Sequence, residues 1–212
     1  MVAIVTRPAT SRWPLLGMLG AASVAALAFW IVAAAPYLRW DQTQFGVSFW
    51  PRRYGLLVHI AGGSVALLVG PLQLWLGETR SKLSWHRTLG TVYLLGVAVG
   101  VAGGYYLAFT IPSGWVYAAG LFTLACAWTI TTGMAYLAIR RRAIDQHREW
   151  MIRSYVVTLS FVVFRAVVAA LGALEIGSLD ERLTFAAWVG WAVPLLVLEP
   201  CLQWRRLRRV GL

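Results

Sequence analysis

The chain is a succession of long apolar runs separated by short polar stretches. A helix needs about 20 mostly apolar residues to cross the ~30 Å hydrocarbon core of a bilayer. Six runs reach that length, and they predict membrane-spanning helices over residues 14–38, 55–76, 88–110, 114–139, 154–174 and 183–204. The pattern therefore predicts an all-α, polytopic membrane helix bundle with six transmembrane helices, which forms a single integral membrane domain over residues 1–212.

The composition agrees with this class. Apolar residues make up 59% of the chain, charged residues 13%, and the mean hydropathy is +0.67, which exceeds what a soluble domain of this length shows. The first run follows Arg7 and Arg12 and ends in Ala33-Ala34-Ala35-Pro36, which resembles a secretory signal. Its apolar part is longer than the roughly 7–15 residues of such a signal, so we expect the span to be retained.

Basic residues are distributed unevenly between the two sides of the predicted bundle. Fourteen of the nineteen Lys and Arg residues fall on the side of the termini, four fall on the opposite side, and Arg165 lies within a span. Because basic loops stay in the cytoplasm, we expect cytoplasmic termini and a multi-pass protein of the bacterial inner membrane. This topology accounts for the net charge of +11, and we expect the lipid bilayer and not nucleic acid as the partner.

Three polar residues within the spans carry the first functional argument. A charged side chain at the bilayer centre costs roughly 2.5 kcal/mol or more, so Arg165 needs a reason for its position. By depth, its side chain can extend towards His59, which lies near the outer boundary and shares a small-residue face with Gln73. We expect Arg165 either to reach water by snorkelling or to line an outward cavity or packing contact with His59.

Glu199 is the acidic counterpart, and it lies near the inner end of the last span. It should be neutral or paired at that depth. The candidates at similar depth are His86, His147, Arg153 and Arg205. We expect an inner-face His/Glu cluster or an anchoring salt bridge.

The histidines separate into an inner pair and an outer one. His86 and His147 open the third and fifth spans at equal depth, while His59 lies across the membrane, so the six-span topology excludes a single three-histidine centre. One hypothesis is a redox protein in which His86 and His147 ligate haem b. Another is an inner-face metal site formed by His86, His147 and Glu199, with ligands that zinc or iron accepts.

The third hypothesis is a module without a bound cofactor. It would act in transport, in assembly with other membrane subunits, or in lipid interaction, with Arg87, Arg148 and Arg153 binding phosphate headgroups near helix N-termini. The sequence favours this class, because the histidines stand at helix starts and their spacing matches no local metal motif. It contains no glycine-rich phosphate loop and no nucleophile with an adjacent base, so we do not expect an enzyme.

Three further features concern helix packing, the outer loop and the cysteines. Gly96, Gly100 and Gly104 repeat every fourth residue and predict close approach of a neighbouring helix. The outer loop 39–53 either lies on the membrane surface or caps the bundle over His59. Cys126 and Cys201 fall at different depths and are not expected to form a disulfide.

An ordered set of short motifs resembles a known family. The set comprises His59 with Gly62-Gly63 and Gly70-Pro71-Leu72-Gln73, then His86-Arg87-Thr88-Leu89-Gly90 with Tyr93, then His147-Arg148-Glu149-Trp150-Met151-Ile152-Arg153 with Arg165. It is similar to the bacterial membrane proteins catalogued as domain of unknown function 2306, over about Tyr54 to Glu199. That family has no established activity, so the resemblance implies a multi-span fold and a functional role for these positions.

Overall fold

The computed structural model describes residues 13–80 and 82–210, and within them it contains helices and turns but no strand. The helices are α1 (Trp13–Phe29), α2 (Gln42–Phe49), α3 (Arg53–Thr79), α4 (Leu83–Thr110), α5 (Trp115–Arg140), α6 (Ile144–Thr158), α7 (Ser160–Ala173) and α8 (Leu179–Val210). Six segments of this part of the chain are long and apolar enough to cross a membrane. The expected all-α fold with six membrane-spanning segments is confirmed.

The spans alternate in direction, which gives the bundle two faces. The α3–α4 and α5–α6 connections and the end of α8 lie at one face, here named the terminal face. The α4–α5 and α7–α8 connections and α2 lie at the other, here named the distal face. Three residues with positive φ, Arg80, Lys82 and Arg142, make the tight reversals at the terminal face.

Two spans depart from regular α-helix. The first continues beyond α1 as a π-helical turn over Trp30–Ala34 and a 3₁₀ turn over Ala35–Arg39. The fifth begins at Ile144, earlier than the apolar pattern predicts, and it is interrupted at Leu159 between α6 and α7. The hydroxyl of Thr158 donates to the carbonyl of Ser154 (2.9 Å), an interaction that bends helices, and it accounts for a break at this point.

α3 and α4 form the closest helix pair of the bundle. A Cβ added to Gly62 of α3 would lie 2.5 Å from the carbonyl oxygen of Gly96 and closer still to the amide nitrogen of Gly100. Gly103 is equally crowded by the backbone of His59. The two backbones therefore touch without intervening side chains, and this is the close packing that the glycine repeat predicts.

The remaining helices pack around this pair. α1 lies along α3, α5 contacts α4, α6 and α8, and α8 also contacts α6 and α7. The core between them contains Tyr93, Val97, Trp128, Ala135 and Tyr155. α8 begins with a capping box, in which the Ser178 amide donates to a carboxylate oxygen of Glu181 (2.7 Å) and the Glu181 amide donates to the Ser178 hydroxyl (3.4 Å).

Candidate functional sites

A cavity of about 310 Å³ opens in the distal half of the bundle, and it is here named the distal cavity. Its walls come from the end of α1 and its π-turn, α2, α3, α4, α5, α7 and the start of α8. Most of the lining side chains are apolar, and the polar exceptions include His59 and Arg165. His59 and Arg165, which the sequence related only by their similar depth in the membrane, thus line the same cavity.

His59 is held in one orientation by a backbone contact. Its Nδ1 lies 2.7 Å from the carbonyl oxygen of Gly100, so Nδ1 must carry a hydrogen and donate it. In the neutral ring this leaves Nε2 as an acceptor. The ring packs edge-on against Phe161 (4.7 Å between centroids) and Trp128 (6.3 Å), and it lies over Gly104, where a Cβ would be 3.4 Å from its Nδ1. His59 is therefore an oriented, buried hydrogen-bonding group in the cavity wall.

Arg165 is the cation of the distal cavity. Its Nη2 makes a long hydrogen bond to the hydroxyl of Tyr37 (3.5 Å), and Tyr117 is within range of its charge. All eight acidic residues lie in the described ranges, and within those ranges no carboxylate pairs with Arg165. The cavity consequently has a positive charge that the protein itself does not neutralise.

The segment between the first two spans covers the distal end of this cavity. Asp41 caps α2 by accepting hydrogen bonds from the amide (3.0 Å) and hydroxyl (2.6 Å) of Thr43. Phe45 of α2 is 2% exposed and packs edge-on against Tyr37. Ser48 and Phe49 line the cavity itself, so of the two arrangements considered for loop 39–53 the structure shows the cap.

The terminal face holds a second group of polar residues. The His86 ring lies over Gly77 of α3, and the backbone carbonyl of His86 accepts a hydrogen bond from Nε2 of Gln73 (2.7 Å). His147 Nδ1 donates to the carbonyl of Ala135 (2.9 Å). His86 and His147 are close enough for their charges to interact. Both histidines lie at the terminal face, near the starts of α4 and α6.

Ion pairs occupy several residues that the sequence offered as ligands. Arg153 binds both carboxylate oxygens of Glu199, at 2.5 and 2.9 Å, and lies 3.8 Å from Glu149. Glu149 also pairs with Arg206, and this hydrogen-bonded pair raises the pKa of the Arg206 guanidinium.

Among the residues described, no three His, Cys, Asp or Glu side chains are grouped so as to hold a metal ion. The structure therefore does not bring Glu199 to His86 and His147. Two of the three arginines proposed for headgroups are engaged by carboxylates as well, because Arg148 pairs with Glu78 and Arg153 with Glu199.

A buried hydroxyl network at the centre of the bundle was not anticipated from the sequence. The Tyr93 hydroxyl lies 2.8 Å from that of Ser154 and 3.0 Å from that of Thr158. Thr132 is 2.7 Å from Ser154, and the Trp128 indole donates to Thr158 (2.9 Å). The spacing of Ser154 and Thr158 on one helix face was the available signal.

The protons of this network can be assigned by counting. Thr158 donates its single hydrogen to the Ser154 carbonyl, so it accepts from Trp128 and Tyr93. Tyr93 then accepts from Ser154, and Ser154 accepts from Thr132. Every hydroxyl hydrogen has an acceptor and the chain ends on a carbonyl, so the network is a satisfied structural element of the core.

The helical fold, with six segments long and apolar enough to cross a membrane, defines a polytopic, multi-pass helical membrane protein. The chain belongs to the family described as predicted membrane protein (DUF2306), whose model matches residues 56–202. This confirms the family resemblance of the sequence motifs. A comparison with curated proteins and one with solved structures found no match.

Proposed function

We propose that the protein is a transport or lipid-interacting membrane subunit that binds a small anionic amphiphile in the distal cavity. The observation that carries this proposal is Arg165, a cation without a carboxylate partner among the described residues, in the wall of a mostly apolar cavity. An arginine at this depth is costly unless an anion or water accompanies it. A carboxylate or phosphate head with an apolar body meets both properties of the site.

The polar lining indicates how such a head would be held. The Arg165 guanidinium offers paired donors to an anionic oxygen, and the hydroxyl of Tyr37 is already beside it. His59, with Nδ1 bound to Gly100, offers an acceptor to a hydroxyl of the same ligand. A volume of about 310 Å³ is at the small end of ligand pockets, so the apolar body is short.

Two probe ligands with the same chain and opposite charge test the proposal. The protein in lipid nanodiscs is titrated with decanoate and with decyltrimethylammonium, and thermal stabilisation and binding heat are measured. Decanoate should stabilise the protein and the cationic probe should not. Arg165→Gln should weaken decanoate binding by about tenfold or more, because a hydrogen bond to a charged group contributes roughly 1.5–3 kcal/mol.

A matched control is available on the same face. Arg182 is also an arginine near the distal face, but it lies outside the cavity lining and its Nε donates to the carbonyl of Ile176 (2.7 Å). Arg182→Gln should leave decanoate binding unchanged, and Arg165→Lys should retain part of it. Equal binding of the two probes, or equal affinity in wild type and Arg165→Gln, would contradict the proposal.

We further propose that the terminal face is cytoplasmic and that the membrane is the bacterial inner membrane. The support is the excess of lysine and arginine in the termini and in the connections at that face. Single cysteines placed at residues 81 and 113, in a variant without Cys126 and Cys201, report the orientation. A membrane-impermeant maleimide applied to intact cells should label residue 113 and not residue 81, and the reverse pattern would overturn the assignment.

A further inference from the structure

Arg165 lines the distal cavity and is also exposed at the surface of the bundle. A side chain with both properties stands where the cavity opens to the outside. Arg165 lies eight residues before α7 ends at Ala173, so its Cα is about 12 Å from the distal end of that helix at 1.5 Å per residue. Half of a ~30 Å hydrocarbon core is about 15 Å, so the opening is at the depth of the acyl chains of the distal leaflet.

The first span and α7 flank this opening. Trp30, Ala33 and Tyr37 of the first span form one wall of the cavity, and Phe164 and Arg165 of α7 form another. The first span packs chiefly against α3 and is the least buried of the six described spans. The hydrogen bond from Arg165 to Tyr37 joins the two walls and is long, at 3.5 Å. The two helices are therefore weakly joined where the cavity meets the lipid.

The aqueous end of the cavity is covered by the segment that contains α2. Phe45 is 2% exposed and packs edge-on against Tyr37. Arg52 ties the segment to the bundle, because its Nε donates to the carbonyl of Thr110 (2.6 Å) and its Nη1 donates to the carbonyl of Ser48 (2.7 Å). A ligand from the water must displace this cover, whereas a ligand from the bilayer has to pass only the long hydrogen bond between the two walls.

We propose that the distal cavity binds an anionic lipid of the surrounding bilayer, which enters laterally between the first span and α7. This inference rests on the proposed function and names the source and class of its ligand. Arg165 at the opening complements the charge of the head. The short apolar body that a volume of about 310 Å³ allows is then only the part of the acyl chain inside the cavity, and the rest extends into the bilayer.

Two fatty acids that differ in bulk at the chain end test the source of the ligand. Decanoate and a doxylstearate whose nitroxide ring is near the methyl end are titrated into nanodiscs that contain the full-length protein. Both affinities are expressed relative to the lipid, so that partitioning into the bilayer cancels. The doxylstearate should bind as tightly as decanoate, because its bulky end remains in the bilayer. Arg165→Gln should weaken binding of both by about tenfold or more.

The outcomes separate the route from the site itself. Tight binding of decanoate together with weak binding of the doxylstearate would overturn lateral entry and leave the proposed function intact. Failure of both fatty acids to bind would instead overturn the proposed function, and lateral entry with it.

Photolabelling locates the opening without a substitution. Palmitate with a diazirine in its chain is irradiated with the protein in nanodiscs, and peptide mass spectrometry identifies the labelled residues. The first span and α7 should be labelled beside Arg165, and excess decanoate should remove this label because both fatty acids compete for one cation. Labelling near Leu196, which is 70% exposed on α8, reports general lipid contact and should not change. Labelling beside Arg165 that decanoate leaves unchanged would overturn the proposal.

Discussion

Arg153 and Glu199 form a two-point ion pair between α6 and α8, with Nε–Oε1 and Nη2–Oε2 distances of 2.5 and 2.9 Å. The arginine side chain is 9% exposed and the glutamate side chain 42%, so the cation is buried and the anion reaches the edge of the bundle. Oε2 of Glu149 lies 3.8 Å from Nη1 of the same guanidinium. The pair therefore anchors the last span to α6 and satisfies a charge that could not be buried alone.

Removing the carboxylate should destabilise the protein. We expect Glu199→Gln to lower the free energy of unfolding by about 1–2 kcal/mol, less than for a fully buried pair because Glu199 is partly exposed and Glu149 still faces the cation. Unfolding in a denaturing detergent measures the change. The double variant Glu199→Gln with Arg153→Met should recover part of the loss, because no buried charge then lacks its partner. Additive effects of the two substitutions would show that the pair is not coupled.

The contact between α3 and α4 predicts opposite outcomes at two adjacent glycines. Gly62→Ala forces a methyl group into the backbone of α4 and should cost about 3 kcal/mol or prevent folding. Gly63→Ala meets nothing within 4 Å and should be neutral or stabilising by up to about 1 kcal/mol, through its better helix propensity. Thermal unfolding of the two variants side by side measures this. Equal stability of both would refute the close approach of the two helices.

The direction of the hydroxyl network predicts a ranking. Tyr93→Phe leaves the Ser154 hydroxyl without its acceptor and should cost about 1–2 kcal/mol. Thr132 only donates to Ser154, so the nearly isosteric Thr132→Val should cost less than about 1 kcal/mol. Equilibrium unfolding of the two variants tests the order. A larger loss for Thr132→Val would mean that the protons run the other way.

The cap of α2 predicts an acid-sensitive cover for the distal cavity. Hydrogen bonds from the Thr43 hydroxyl and amide hold the pKa of Asp41 below its ordinary value of 3.8. A carboxyl with a lowered pKa stabilises the folded state above its unfolded pKa, and this contribution disappears as the pH falls through the folded value. The amides of Gln44 and Phe45 should therefore exchange hydrogen faster below about pH 4, relative to those of α3.

A variant separates the cap from general acid effects. Asp41→Ala should show the fast exchange of α2 already at pH 7, whereas Asp41→Asn keeps an acceptor and should resemble the wild type there. If the α2 amides exchange as slowly in Asp41→Ala as in the wild type, the Asp41 cap does not stabilise this helix.

The sequence reveals the spans because a helix that crosses a bilayer needs a run of about 20 apolar residues. Residues such as Val97 and Ala135 contribute to such a run whether their side chains face lipid or another helix. For the same reason it does not reveal the neighbours, since a side chain that faces lipid and one that faces another helix are equally apolar. The glycines of α4 were informative because only a close backbone contact requires them.

A helix advances 1.5 Å per residue, so the sequence predicts the depth of each side chain in the membrane. On that basis it placed His59 at a depth that Arg165 can reach and Glu199 at a depth similar to that of Arg153. Depth could not select Arg153 over His86 or His147 as the partner of Glu199, since that choice depends on which helices adjoin. The hydroxyls of Ser154 and Thr158 were visible, but the acceptors and donors that they meet on α4 and α5 come from tertiary packing alone.

The interruption at Leu159 divides the fifth span into α6 and α7, which pack against different helices. α6 is held by α3, α5 and α8, whereas α7 packs chiefly against α8. Arg165 stands six residues beyond the interruption, about 9 Å along the axis at 1.5 Å per residue. A swing of α7 by 10° about this joint would carry Arg165 through about 1.6 Å while His59, fixed to Gly100, stays in place. The distance between the guanidinium of Arg165 and the imidazole of His59 therefore depends on the angle between α6 and α7.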